Sequence, residues 1–325
     1  MAAADQIKSL IKAFGESDED RFYASAMQIA ASEARQGHVA FAQELKNLIE
    51  NSRKSRSLAI FDSGKTIHIS PQKRELNELL DIFQPRIKLA DMVLNPEVKI
   101  KLENLINEQK EWELLHHHNL SPKRKLLLIG PPGTGKTMTA QAIAGELGVP
   151  VFIIRLDGIL SKYMGESIAK LRMIFDVMPA QRGVYLFDEF DSIGSHRHQG
   201  YEIGEIKRVL NSFLINIEKD KSNSIIIAAT NMPEALDKAL FRRFDDIISY
   251  PLPSKLEIIS AIKKNFGSFN FGGRISFEKL SLLAKGLNYS DIKKACDETV
   301  KTMILGGKKL LSKEYLADAL KSKQP

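Results

Sequence analysis

The sequence predicts an α/β fold built on a parallel sheet, with a small all-helical N-terminal region before it and a helical tail after it. Three patterns support this expectation. Between Lys125 and Tyr250, short apolar runs (Lys125 to Ile129, Val151 to Ile154, Val184 to Phe187, Ser224 to Ala229 and Ile247 to Tyr250) alternate with helical stretches. Fully apolar strands joined by helices imply parallel pairing with both faces covered, because each crossover must return the chain to the same end of the sheet. The first 55 residues contain no proline and repeat apolar residues at helical spacing, and beyond Pro251 the pattern is helical to the C-terminus.

Taken in order, the N-terminal region carries Ser17 with Asp20 three positions on, a helix-start signal, and Gly37 as a stop. Phe22, Ala26, Ile29 and Ala30, then Phe41, Leu45 and Leu48, are placed to share a small core. Residues 1–55 are therefore expected to form one helical domain, and residues 56–86 a linker. That linker begins Ser- and Lys-rich and holds an alternating stretch around Asp62-Ser63-Gly64 that suits a hairpin. A helix is expected from Leu76 to Phe83, stopped by Pro85, and another from Asn95-Pro96 towards Leu115, with Asn as cap and Pro in the first turn. Residues 87–250 form the α/β domain and 251–325 the helical tail.

The chain of 325 residues, at roughly 150 per domain, makes about two domains, and 43% hydrophobic with 27% charged residues is the composition of a globular chain. Disordered and fibrous classes are excluded. Lys plus Arg exceed Asp plus Glu by 47 to 40, a net +7 whose basic residues are scattered, so the surplus alone does not make a nucleic-acid binder. Asp5, Lys8 and Lys12 interrupt the N-terminal residues, and no apolar run approaches the roughly 18 residues of a membrane span. The lone cysteine, Cys296, cannot form an internal disulfide and shares a helical face with Ile292, Thr299 and Met303. These features suit a soluble protein of a reducing compartment, the cytoplasm, with no membrane contact. His116, His117 and His118 are adjacent, so they cannot all face one ion from a helix, and they read as a solvated helix end.

The chemistry is concentrated after the first apolar strand. Gly130-Pro131-Pro132-Gly133-Thr134-Gly135-Lys136-Thr137 is a complete G-x-x-x-x-G-K-T between a strand and a helix. Glycines let successive N–H groups point inward at phosphate oxygens, and the helix that follows adds the positive end of its dipole. Pro132, Gly133, Thr134, Gly135, Lys136, Thr137 and Met138 are the expected nucleotide-binding residues. Lys136 neutralises β- and γ-phosphates and Thr137 ligates Mg²⁺, so ATP and Mg²⁺ are the expected cofactors. Val184 to Phe187 then runs into Asp188-Glu189, at the strand end where a parallel sheet binds its ligands. Asp188 is placed to hold Mg²⁺ and Glu189 to deprotonate the attacking water. Asn231 follows another apolar strand and can hydrogen-bond that water or the γ-phosphate. Arg242 and Arg243 end a short helix, where permanently charged guanidinium forks suit a phosphoryl transition state.

In order and spacing these segments, GPPGTGKT, LFDEFD, AATN and LFRRFDD over residues 130 to 246, resemble the AAA ATPases. The resemblance covers about residues 87 to 320. It implies a P-loop AAA core with a C-terminal helical lid, assembled as a homo-oligomeric ring, usually a hexamer, with nucleotide at subunit interfaces. It assigns Asn231 as first sensor, and Arg242 and Arg243 as fingers reaching a neighbour's γ-phosphate. The family often separates its two arginines by Pro-Gly whereas here they abut, so which one points at phosphate stays open. Ser161 to Ser167 resembles the family's aromatic pore loop, with Lys162, Tyr163 and Met164 facing the channel and Gly165 at the bend. Ser195 to Gln199 is a second candidate channel loop. Asp91 and Met92 lie where the family contacts adenine. In the lid, Gly286 to Ile292 stands in the place of the family's G-Y-S-G-A-D-L-like turn, Asn288 with Asp291 suits a capping box, and Tyr289 replaces a glycine. Lys293 and Lys294 are the cations nearby.

The activity implied is ATP-driven threading, unfolding or remodelling of a protein substrate. Neither H-E-x-x-H nor G-x-S-x-G occurs, so proteolysis needs a second chain. A short helical region on one AAA module resembles bacterial ATPases encoded beside subtilisin-like serine proteases in plasmid-maintenance or phage-defence cassettes, which implies such a protease as partner. Two other classes stay open: a nucleic-acid motor, suggested by Lys123-Arg124-Lys125 and Lys308-Lys309 but opposed by the aromatic pore loop, and a scaffold ATPase that only switches shape.

Overall fold

In a computed structural model, residues 19–35, 37–38, 41–49, 76, 78–159, 166–191, 203–236, 238–267, 269, 271–272, 275–307 and 310–324 are described. The chain divides into two units, Met1–Ile67 and His68–Pro325.

In the first unit, helix α1 (Glu19–Arg35) ends as its glycine signal suggests. Gly37 has φ +92 and the N–H groups of Gly37 and His38 return to the carbonyls of Ala34 and Glu33, a double bond pattern that closes a helix end. A second helical segment spans residues 41–49. Ala26, Ala30 and Ala42 are buried, as the helical spacing suggests for the first two, but Phe41 and Leu48 are 52% and 57% exposed. Among the described residues of this unit the alanines make the buried face. Ser17 and Asp20's side chain, Phe22 and the hairpin around Asp62 lie outside what is described.

The second unit holds a six-stranded sheet: β1 (Leu80–Phe83), β2 (Lys125–Ile129), β3 (Val151–Ile154), β4 (Val184–Phe187), β5 (Ile225–Thr230) and β6 (Asp246–Ser249), in the order β1-β3-β4-β5-β2-β6. All neighbours pair in parallel except β1 with β3. The parallel-sheet α/β core read from the sequence is present. Residues alternate between the two faces with the strand period of two. Leu127, Tyr185, Phe187 and Ile226 meet Leu171, Ile174, Val209 and Phe213 on one side. Leu126, Leu128, Leu186 and Ile227 meet Leu102, Ile106, Ala140 and Ile143 on the other.

The helix expected over Leu76 to Phe83 is met in its first half, where Leu76, Glu78 and Leu79 are helical, and corrected in its second, where β1 takes over from Leu80. A short apolar run cannot be told from a helical segment by periodicity alone, and here the antiparallel partner decides: Leu80 lies opposite Ile154 and Phe83 opposite Val151. The next helix starts as expected, with Asn95 Oδ1 accepting from the Glu97 N–H at 3.0 Å, but it breaks at Glu111 into α2 (Pro96–Lys110) and α3 (Trp112–His117). His116, His117 and His118 are exposed, as a solvated helix end should be.

Helices α4 (Lys136–Leu147), α5 (Leu156–Ile159), α6 (Glu166–Val177), α7 (Ile203–Lys219) and α8 (Lys238–Phe241) connect the strands. After β6 come α9 (Lys255–Phe266), α10 (Phe277–Leu283), α11 (Tyr289–Leu305) and α12 (Lys313–Lys321), with a core of their own that includes Ile258, Leu287, Ile292, Cys296, Met303 and Leu316. Cys296 sits in that core beside Ile292, Thr299 and Met303, all buried, and burial pushes its thiol up to about 12. Asn288 caps α11, accepting the Asp291 N–H at 2.9 Å.

Candidate functional site

The loop from β2 to α4 is a backbone cradle that only glycine permits. Gly133 and Gly135 hold φ of +73 and +101, and a Cβ on Gly133 would lie 2.5 Å from Asn288 Oδ1, so the loop touches the start of α11 directly. The Ser290 N–H adds a bond to the Gly133 carbonyl at 3.2 Å. Thr134 is buried and donates its hydroxyl to the Pro131 carbonyl at 2.8 Å.

Lys136 opens α4 and is only 6% exposed. Its amine donates to the carbonyls of Gly130 (2.7 Å) and Pro131 (2.9 Å) and to Asn231 Oδ1 (2.7 Å). Burial pulls its pKa below the usual lysine value, while the charges of Asp188 and Asp191 oppose that shift. One residue on, the Thr137 hydroxyl donates to Asp188 Oδ2 at 2.6 Å. Two hard oxygens side by side suit magnesium, which binds through one or two protein oxygens and takes its other ligands from water and phosphate. Among the described residues no group of three or more His, Cys, Asp or Glu forms a metal cage. The Thr137 and Asp188 oxygens beside the loop fit a phosphate-bound ion.

Glu189 follows with φ +50, a left-handed conformation unusual for glutamate, and its N–H returns to Asp188 Oδ1 at 3.0 Å. It shares one cavity of about 540 Å³ with Asp188, Asn231 and Pro132 through Met138. A cavity of this size lies within the range of small-molecule sites. Asp91 and Met92 line it as well. The Asp91 carboxylate also accepts the Lys88 N–H at 2.9 Å, which fixes the short turn Leu89–Asp91.

The turn Gly286 to Ile292 and the lysine after it, noted in the sequence, bring Tyr289, Ser290 and Lys293 of α11 to the cavity, whereas Ala261, Lys264 and Asn265 of α9, which also line it, carried no sequence signal. Lys264 reaches across to the Ala90 carbonyl. Burial and the neighbouring Glu257 carboxylate push the Tyr289 hydroxyl well above its ordinary pKa. Of the two lysines noted in the sequence, Lys293 lines the cavity whereas Lys294 pairs with Asp291 at 3.5 Å.

Arg242 and Arg243 are exposed and do not line this cavity, and the Arg243 guanidinium pairs with Glu218 at the end of α7. Lys162, Tyr163, Met164 and the segment Ser195 to Gln199 lie outside the described residues.

Along nearly its whole length the chain is similar to an uncharacterized AAA family ATPase, y4kL, of Sinorhizobium fredii: 30% identical over 322 residues, covering 98% of this chain and 95% of that protein. The chain belongs to the AAA family of ATPases. Residues 126–252, from β2 to just past β6, match the family described as the ATPase family associated with various cellular activities (AAA). Two other relatives are similar as well. A proteasome-activating nucleotidase of Saccharolobus islandicus is 32% identical over 290 residues, 81% of this chain and 70% of that one. An ATP-dependent zinc metalloprotease, FtsH 4, of Sphaerobacter thermophilus is 28% identical over 254 residues, 76% of this chain but 39% of that one. AAA membership implies nucleotide binding and ATP hydrolysis, and the cavity lies at the carboxyl ends of β2, β4 and β5, where a parallel sheet binds its ligands. No described helix is long and apolar enough to cross a membrane.

Proposed function

We propose that the protein is a ring-forming ATPase that couples Mg-ATP hydrolysis to the threading, unfolding or remodelling of protein substrates in the cytoplasm. The observation that carries the chemistry is the convergence of six separated segments on one cavity, three of them fastened together by the Thr137–Asp188 contact (2.6 Å) and the Lys136–Asn231 contact (2.7 Å).

Each residue then has a distinct task. The cradle from Pro132 to Met138 directs N–H groups at the phosphates, and Lys136 offsets their charge. Thr137 and Asp188 would hold Mg²⁺, whose charge would offset that of the phosphate oxygens. Glu189 accepts the proton of the attacking water as its oxygen bonds to the γ-phosphorus and the bond to the departing diphosphate breaks. Asn231 orients that water or the γ-phosphate. Asp91 and Met92 contact the base, and residues 251–325 serve as a lid.

Arg242 and Arg243 face solvent rather than their own cavity, which supports a role at the site of a neighbouring subunit in a hexameric ring. Remodelling is supported by the resemblance of Lys162, Tyr163 and Met164 to an aromatic pore loop, because an aromatic ring grips extended polypeptide by apolar contact whatever its sequence. Similarity to a proteasome-activating nucleotidase and to an ATP-dependent metalloprotease is in keeping with that reading. The resemblance to ATPases encoded beside subtilisin-like serine proteases supports such a protease as the partner that carries out cleavage, in a defence or plasmid-maintenance setting.

Phosphate release from ATP across a magnesium series tests the core of this reading. Turnover that requires Mg²⁺ supports it. ATP left intact at every magnesium concentration overturns it.

A further inference from the structure

The four residues after β4 cross the carboxyl end of β5 and are tied to it at two points. Phe190 donates its N–H to the Ala229 carbonyl at 2.8 Å and buries its ring against Phe187 and Phe213. Asp191 Oδ1 accepts two bonds, from the Thr230 hydroxyl at 2.9 Å and from the Asn231 N–H at 3.0 Å. The Thr230 hydroxyl in turn accepts the Met232 N–H at 3.1 Å. Between Asp188 and these ties Glu189 holds φ +50, a conformation that persists in a non-glycine residue only when its surroundings over-determine it. Asp191 itself does not line the cavity.

We propose that Asp191 is a positioning residue for hydrolysis, whose carboxylate clasps the bend presenting Glu189 to the backbone carrying Asn231. The proposal rests on assigning Glu189 and Asn231 to the hydrolytic step. Its physical content is that one oxygen, by accepting from the last residue of β5 and from the residue after it, makes the ends of β4 and β5 a single unit. The proton acceptor and the polar side chain beside Lys136 then keep a fixed separation. Nucleotide binding depends on the loop from Pro132 to Met138 and is left largely untouched. Catalytic geometry is sensitive to small displacements, about 100-fold in rate for roughly 1 Å.

The test is the separation of kcat from KM in Asp191→Ala, Asp191→Asn and Thr230→Val, beside Glu189→Gln and a fluorescent-ADP binding assay. Asp191→Ala is expected to lower kcat about 100-fold while KM and ADP affinity stay within about threefold. Asp191→Asn keeps an Oδ1 acceptor and is expected to recover most of that loss. A role through charge at Lys136 predicts the opposite. Thr230→Val removes one of the two donors with little change of shape and lowers kcat in the same sense, so the proposal can still be refuted if Asp191→Ala does not fold. Wild-type kcat in both Asp191→Ala and Thr230→Val, or an Asp191→Asn protein as slow as Asp191→Ala, overturns the clasp. A Glu189→Gln protein with wild-type turnover instead refutes the assignment of the base on which the clasp depends.

Discussion

The Lys136 amine and the Asn231 amide oxygen lie 2.7 Å apart, although 95 positions separate the two residues. The sheet explains the meeting. β2 and β5 are parallel neighbours in register, Ile129 opposite Thr230, so the residues that follow each strand emerge side by side. A P-loop and a polar residue after another strand therefore need no long side chains or unusual turns to converge.

Removing the proton acceptor and removing the phosphate clamp should fail in different ways. Glu189→Gln keeps a side chain of the same shape beside Asp188, so ATP binding is retained while turnover falls by about 10²- to 10⁴-fold. Lys136→Ala removes the one cation of the cradle and loses binding itself. Binding of a fluorescent nucleotide measured beside phosphate release separates the two. Wild-type turnover in Glu189→Gln contradicts the assignment.

Exposed arginines outside their own cavity should act on a partner subunit. Replacing both Arg242 and Arg243 by alanine is expected to cost about 10³- to 10⁵-fold in kcat. Mixing those subunits with Lys136→Ala subunits places intact arginines beside intact cavities and restores part of the turnover. No restoration on mixing means that the arginines act within one chain.

Far from the cavity, Arg124 and Asp220 form an ion pair at the opposite end of the sheet, with the Asp220 side chain only 3% exposed. Arg124 also donates to the Asp220 carbonyl. Truncating Arg124 to alanine leaves a buried carboxylate without its partner and should cost about 3–5 kcal/mol of stability. Denaturant unfolding reads this directly, and an unchanged midpoint contradicts the pairing.

Cys296 should be chemically silent in the folded protein. Its side chain is 1% exposed and its thiol is pushed up to about 12, so almost no thiolate exists at pH 8. A disulfide reagent is expected to react only at the rate of unfolding and to label fully in denaturant. Rapid labelling under native conditions contradicts the placement of α11.

Much of the site was legible because its chemistry is local in the chain. Gly130 to Thr137 and Asp188-Glu189 declare themselves by residue type and by the strand before them. The wall made by Ala261, Lys264 and Asn265 was not, since those residues occupy one face of an ordinary amphipathic helix and only packing brings that face to the phosphate loop. Arg243 and Glu218 show the same limit: the arginine was visible, its acidic partner was not. The strand Leu80–Phe83 was missed because four residues carry no period, and its pairing with β3 is a tertiary fact. Phe41 and Leu48 fit a helical spacing, yet both are exposed, because spacing marks a helix face without saying what packs on it.

The central claim joins hydrolysis to force on a polypeptide, and Tyr163 separates them. The most direct measurement is ATP-dependent unfolding of a fluorescent protein bearing an unstructured tag, alongside phosphate release, for the wild type and Tyr163→Ala at one ATP concentration. The account predicts comparable hydrolysis by both proteins and unfolding by the wild type alone. Equal unfolding by the two contradicts it.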